Sequence, residues 1–364
     1  MAEYVIVFLA LMGVSLGLYW LYERYLNRTH KPDAALYVEA LRDLLDGKPE
    51  SAFGKLRQVV AADAGNVDAY LRLGQILREH KKPDRALQVH KDLTLRSGLD
   101  REQKVAILTQ LVLDYGDLGE ADTAQAALRE LIALAPEDRW AHSHLLKLQE
   151  QAGQWDEAYD TAAKLLKLES SKSKKLLARF RYKKGMQFVE QREYHKARIH
   201  LKEALGLDPQ HAAAYLAIGD SYAAEGRHED AVAFWNKLIT AVPEQAHRVI
   251  GRLKKALFEL GRYGDIAEIC LSILEHSPKD FEARMTLAEF HEKKGDLDRA
   301  EELLMEVLDD QPDSVKPVLE LTRIYAQKGD PRKIGDLLSR LERKRKTMPR
   351  AAQDEIVDTS LIGI

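Results

Sequence analysis

The feature that most constrains this chain is a period. A small or branched apolar residue recurs at Ala52, Ala86, Ala124, Ala158, Ala197, Ala231, Ile266, Ala300 and Ile334. The successive intervals are 34, 38, 34, 39, 34, 35, 34 and 34 residues. A glycine stands five residues earlier at Gly47, Gly119, Gly153, Gly226, Gly261, Gly295 and Gly329. Prolines close units at Pro136, Pro209, Pro243, Pro278 and Pro312, where they stop a helix without costing an internal hydrogen bond. Nine units at this spacing describe a stack of near-identical pieces, each burying its apolar face on its neighbours.

The stretch 212–243, AAAYLAIGDSYAAEGRHEDAVAFWNKLITAVP, shows the unit most clearly. Tyr215, Ile218, Gly219 and Tyr222 fall at helical spacing before Gly226; Ala231, Trp235 and Leu238 do so after it. Large residues alternate with small ones because two helices cross closely: Gly219 and Ala231 make room, and Tyr222 and Trp235 fill the space beside them. This order of residues is the tetratricopeptide pattern. The expected fold is all-α, an α-solenoid of about nine tetratricopeptide helical hairpins preceded by a single transmembrane helix.

The expected organisation is an N-terminal transmembrane anchor over 1–28 and repeats 1–4 over 33–168. A polar insertion follows at 169–177, then repeats 5–9 over 178–346 and a C-terminal tail over 347–364. Two intervals carry extra residues, at 97–102 and at 169–175 (ESSKSKK). The second reads either as a hinge between the two groups of repeats or as a tolerated surface insertion.

Residues 4–22 carry no charge, and as a helix of roughly 28 Å they match the hydrocarbon core of a bilayer. Tyr19, Trp20, Tyr22 and Tyr25 cluster at the far end like an interfacial belt. A cleaved signal peptide would want Lys or Arg before the run and a small-x-small site after it, and neither is there. Arg24, Arg28 and Lys31 follow the run, so the positive-inside rule puts the repeats in the cytoplasm, as a single-pass protein of the inner membrane. Gly13 and Gly17 fit GxxxG, a dimer face that leaves a homo-oligomer open.

Lys and Arg number 55 against 58 Asp and Glu, a net charge of −3 that argues against nucleic acid as a partner. The single cysteine, Cys270, allows neither an internal disulfide nor a cysteine zinc site. His228-Glu229 and His291-Glu292 lack the second histidine of a zinc helix. His90 and His142 stand at large core positions and read as packed side chains, and Cys270 as a small buried hydrophobe. No catalytic constellation, metal site or cofactor motif emerges, so the chain is expected not to be an enzyme and to need no cofactor.

Recognition is then the expected work, with protein partners bound on the face lined by the first helix of each hairpin. Its candidate residues are Gln75 and Arg78, Lys147, Arg179, Tyr182 and Met186, then Arg248, Arg252 and Lys255. Residues 172–184 carry seven basic side chains, Arg179 among them, and no acidic one. Such a lining suits an acidic or carboxylate-bearing peptide; the alternative is a solvated basic helix face.

An apolar anchor running into these repeats resembles the lipopolysaccharide assembly protein B family. The residues carrying the resemblance are Leu73-Gly74-Gln75-Ile76-Leu77-Arg78, Asp84-Arg85-Ala86-Leu87-Gln88-Val89-His90, Leu99-Asp100-Arg101-Glu102-Gln103, Asp114-Tyr115 and Gly119. The resemblance implies a scaffold or adaptor in the inner membrane, serving lipopolysaccharide or envelope lipid biogenesis. By the same resemblance, its partners would be a membrane protease or envelope-biosynthesis proteins. Members of that family end in a rubredoxin-like zinc module with two CxxC pairs, whereas the residues after Arg350 contain no cysteine. The other function open to such a chain is that of an anchored assembly factor for a different inner-membrane complex.

Overall fold

The computed structural model describes residues 32–347, together with residues 15, 17–20 and 22. The apolar run 4–22, with its dimer pattern and its aromatic belt, otherwise lies outside the described residues, as does the tail 348–364. Among the described residues no helix is long and apolar enough to cross a membrane. All of the regular structure described is helical. The chain divides into two compact units, Met1–Lys172 and Ser173–Ile364, with the boundary inside the polar insertion.

The first unit holds four hairpins. They are α1 (Pro32–Leu45) with α2 (Pro49–Ala62), α3 (Val67–Glu79) with α4 (Pro83–Thr94), α5 (Arg101–Leu118) with α6 (Ala121–Leu134), and α7 (Arg139–Gln151) with α8 (Trp155–Leu168). Pro49 and Pro83 open second helices, where a missing N–H costs nothing. The second unit holds five. They are α9 (Lys175–Glu190) with α10 (Tyr194–Leu207), α11 (Ala212–Ala224) with α12 (His228–Ala241), and α13 (Ile250–Glu259) with α14 (Asp265–His276). The last two are α15 (Phe281–Lys293) with α16 (Leu297–Asp310), and α17 (Val315–Lys328) with α18 (Pro331–Thr347). The expected nine hairpins are therefore present among the described residues.

The period acts through packing. Ala52, Ala86, Ala158, Ala197, Ala231, Ile266 and Ala300 are wholly buried, and Ala124 nearly so. A Cβ added at Gly219 would collide with the indole of Trp235, and one at Gly185 would reach Leu201 Cγ at 2.7 Å. The same close approach occurs between Gly74 and the ring of His90. Small residues at this position therefore let the two helices of a hairpin touch.

Each hairpin turn needs one residue in the left-handed region, and the glycines of the sequence pattern supply it, as at Gly226 (φ 72°). Two hairpins lack the glycine, and there Lys81 (φ 56°) and Arg192 (φ 59°) take the same conformation.

Three details differ from the sequence reading. Part of the extra length at 97–102 goes into helix: α5 begins at Arg101, with Asp100 and Gln103 forming a capping box. Residues Pro243–Val249 form a 3-10 helix before α13, so Arg248 sits on that tighter turn and not on an α-helix. The last helix, α18, runs on to Thr347, past Leu341, where the repeat pattern fades.

Candidate partner-binding face

The nine candidate residues divide between the units. Gln75, Arg78 and Lys147 belong to the first, on α3 and α7. Gln75 and Lys147 are exposed, with Gln75 donating to Glu79 at 2.9 Å. Arg78 is committed to the fold. Its Nη1 donates to Asp114 Oδ1 at 2.7 Å and its Nη2 to Gln110 Oε1 at 2.8 Å. Only 12% of its side chain is exposed. Asp114, fully buried, takes His90 Nδ1 on its other oxygen, and His90 Nε2 lies 3.2 Å from the carbonyl of Leu71. Arg78, His90 and Asp114 thus tie three helices, α3, α4 and α5, into one buried network. Three sequence fragments that carried the family resemblance, the runs ending at Arg78 and at His90 and the Asp114-Tyr115 pair, meet here.

In the second unit Arg179, Tyr182 and Met186 lie on α9 and Arg252 and Lys255 on α13, with Arg248 on the 3-10 turn. Burial pushes the Tyr182 phenol up; the nearby Arg248 opposes the shift and Asp220 adds to it, so these three side chains share one neighbourhood. The Tyr182 ring also leans on His211 at 4.8 Å between centroids. Arg252 grips Asp220 of α11 with two bonds, 2.7 Å to Oδ1 and 3.0 Å to Oδ2, and donates a third to the carbonyl of Arg248. Arg179, Arg248, Arg252 and Lys255 are exposed; Tyr182 and Met186 are half-buried.

Asp220 was not among the residues singled out from the sequence. It stands 32 residues before Arg252, close to one period, and that spacing is the signal that could have found it.

The basic character stops at α15. Glu282, Glu289 and Glu292 face α13 and α17 and answer their cations: Lys254 binds Glu289, Lys316 binds Glu282 at 3.5 Å, and Arg323 binds Glu292. Burial alone would raise the Glu289 carboxyl. Hydrogen bonds and charge from Lys254 and Lys293 outweigh it and hold the group down at about 2. A cavity of about 120 Å³ lies among these helices, with Met285, Leu304 and Ile324 against Lys254, Glu289 and Glu320.

His90 and Cys270 are fully buried and His142 nearly so. Burial raises the Cys270 thiol to about 12, against a smaller opposing effect of Lys254, so it is not a thiolate at neutral pH. Among the described residues no three of His, Cys, Asp and Glu gather as metal ligands would.

A tetratricopeptide repeat model matches residues 43–111 and 257–322, and a second of the same description matches 109–171 and 182–246. The lipopolysaccharide assembly protein B of Escherichia coli K12 is 25% identical over 296 residues, spanning 80% of this chain and 76% of that protein. The protein of that name from Haemophilus influenzae is 26% identical over 242 residues, 66% of this chain and 60% of that one. A solved tetratricopeptide repeat protein from Parabacteroides merdae is 16% identical, covering 80% of this chain and 98% of that one, with a TM-score of 0.36. With tetratricopeptide repeat models matching four segments and nine helical hairpins among the described residues, the chain belongs to the tetratricopeptide repeat family.

Proposed function

We propose that this protein is a membrane-anchored adaptor of lipopolysaccharide assembly that holds an acidic protein partner on the first-helix face of its second unit. The observation that carries the pathway is the similarity to lipopolysaccharide assembly protein B over 80% of the chain. The cationic stretch of Arg179, Arg248 and Lys255 supports the acidity of the partner, since exposed cations beside Tyr182 and Met186 offer both charge and contact area. The uncharged run 4–22 and the basic residues after it support an anchor in the inner membrane with the repeats in the cytoplasm.

The test is crosslinking in native membranes, comparing the wild type with the triple variant Arg179→Glu, Arg248→Glu and Lys255→Glu. The variant keeps its helical content and loses the crosslinked partner, and wild-type capture weakens as salt rises. Loss of the gene alters the cell's lipopolysaccharide level. If that level holds while another membrane complex fails to assemble, the pathway is wrong. If the reversals leave every crosslink in place, the face is wrong. Topology is checked apart from both: alkaline phosphatase fused after Ala35 is inactive, and a cytoplasmic reporter fused there is active.

A further inference from the structure

The first unit carries a groove of about 770 Å³, within the range for ligand cavities, roughly 300–1,000 Å³. It lies between α5, α6 and the segment from Thr94 to Leu99, where the interval between repeats is 38 residues and not 34. Part of that extra length makes α5, at 18 residues, the longest first helix described. Ile107, Leu108, Leu111 and Tyr115 of α5 form the floor of the groove, and Ala126, Ala127 and Ala133 of α6 form a low wall that leaves it open. A groove of similar size, about 750 Å³, lies between the third and fourth hairpins, but there the charged side chains of Glu137, Arg139, Lys164 and Lys167 make up half of the lining.

The larger groove is cationic at one end and apolar along its length. Arg101 Nε donates to the carbonyl of Leu134 at 2.8 Å, which sets the start of α5 beside the end of α6. Lys104, in the first turns of α5, and Arg96, in the segment leading into it, line the groove at this end. Arg96 is steadied by the ring of Tyr70, 4.2 Å below its guanidinium. From Lys104 to Tyr115 the floor runs about 16 Å along α5, at ~1.5 Å per residue.

The lining selects the ligand. Arg96, Lys104 and Glu130 are its charged side chains, and none of them has an ion pair among the described residues. Together they leave one net positive charge, which suits a monoanionic carboxylate better than a dianionic phosphate. The floor beyond them asks for hydrocarbon. An extended peptide would bring backbone amides onto isoleucine and leucine side chains that offer no partner, and each amide left unmade costs free energy. An acyl chain has no such groups and gains from every methylene it takes out of water.

We infer that this groove binds one long-chain fatty acid, with its carboxylate between Arg96 and Lys104 and its chain laid along α5 towards Tyr115. The inference stands apart from the partner face, since none of the nine candidate residues of that face lines the groove.

The test is photolabelling of the full chain in phosphatidylcholine nanodiscs with a palmitic acid that carries a diazirine on its chain, followed by mass spectrometry of the labelled peptides. The matching diazirine alcohol is the control for the head group. The acid labels α5 and α6 saturably, unlabelled palmitate competes, and the alcohol labels them far less. Ala126 and Ala133 are exposed on the wall, so Ala126→Trp and Ala133→Trp each fill the groove without entering the core, and either one that keeps its helical circular dichroism loses the label. Lys104→Gln, also at an exposed position, raises the half-saturating concentration about fivefold, as loss of an exposed ion pair would. Equal labelling by the alcohol overturns the proposal, as does labelling that persists in the folded tryptophan variants. Label confined to residues 4–22 overturns it too and leaves the membrane anchor standing. Saturable label in α5 and α6 with none in residues 4–22 upholds the groove and removes the anchor.

Discussion

Replacing Arg192 by glycine should stabilise the second unit. Arg192 closes α9 with φ at 59°, and the backbone leaves it no choice. Its N–H donates to the carbonyl of Val189 at 2.9 Å, and the next N–H, of Glu193, donates to Phe188 at 2.9 Å. The hairpin built on glycine makes the same pair of bonds, Gly226 to Ala223 at 3.0 Å and Arg227 to Tyr222 at 2.9 Å. A left-handed conformation costs a residue with a Cβ about 1–2 kcal/mol, and glycine gives back roughly 0.5–1 kcal/mol through its greater freedom when unfolded. The net expectation for Arg192→Gly is a gain of about 0.5–1 kcal/mol, or roughly 1–4 °C for a unit of this size. Thermal and urea unfolding followed by far-ultraviolet circular dichroism measures it, with Gly226→Ala as the reciprocal variant, expected to lose about 1–2 kcal/mol. Lys81→Gly repeats the experiment in the first unit, where Lys81 has φ at 56°. If Arg192→Gly lowers the midpoint, or if both it and Gly226→Ala leave it unchanged, the turn is not held in the left-handed region and the reasoning fails.

Other changes have equally definite signs. Gly219→Ala drives a Cβ into the Trp235 indole and should cost about 1–3 kcal/mol, with a broader transition as neighbouring hairpins uncouple. Asp114→Leu strands Arg78 and His90 without their shared carboxylate and should cost about 3–5 kcal/mol in the first unit; adding Arg78→Met and His90→Leu should recover much of it. Glu289 supplies an acid-sensitive contribution. Its carboxyl is held at about 2 against an ordinary 4.5, so its stabilisation is complete above pH 4.5 and fades as pH falls towards 2. The side chain is about a third exposed, and solvent screening trims the contribution to about 1–2 kcal/mol; Glu289→Gln should flatten the acid limb of the stability curve over that window.

The hairpins were legible because their signals are local and repeated. A small residue, a turn glycine and a closing proline each act within one hairpin, and the eight intervals between units check one another. The charged face was legible only in part, because register says which side of a helix a residue occupies and not what stands opposite. Arg78 occupies the expected side, yet Asp114 draws it inward. The basic run ending at Lys255 likewise gives no hint of the three glutamates on the next first helix.

The partners nevertheless follow a rule. Arg252 meets Asp220 at a separation of 32 residues, Lys254 meets Glu289 at 35, Arg78 meets Asp114 at 36 and Arg323 meets Glu292 at 31. Each separation is close to one period, because stacking hairpins sets successive first helices side by side. A charge on this face is therefore spent or spare according to what lies one period before and after it. For Lys255 the neighbour 34 residues on is Glu289, already held by Lys254 and Lys293, and the acid 35 residues back is Asp220, already held by Arg252. Lys255 is spare by that count. Lys255→Glu alone should therefore weaken the membrane crosslink, and an undiminished crosslink would show that Lys255 is not the cation that receives the partner.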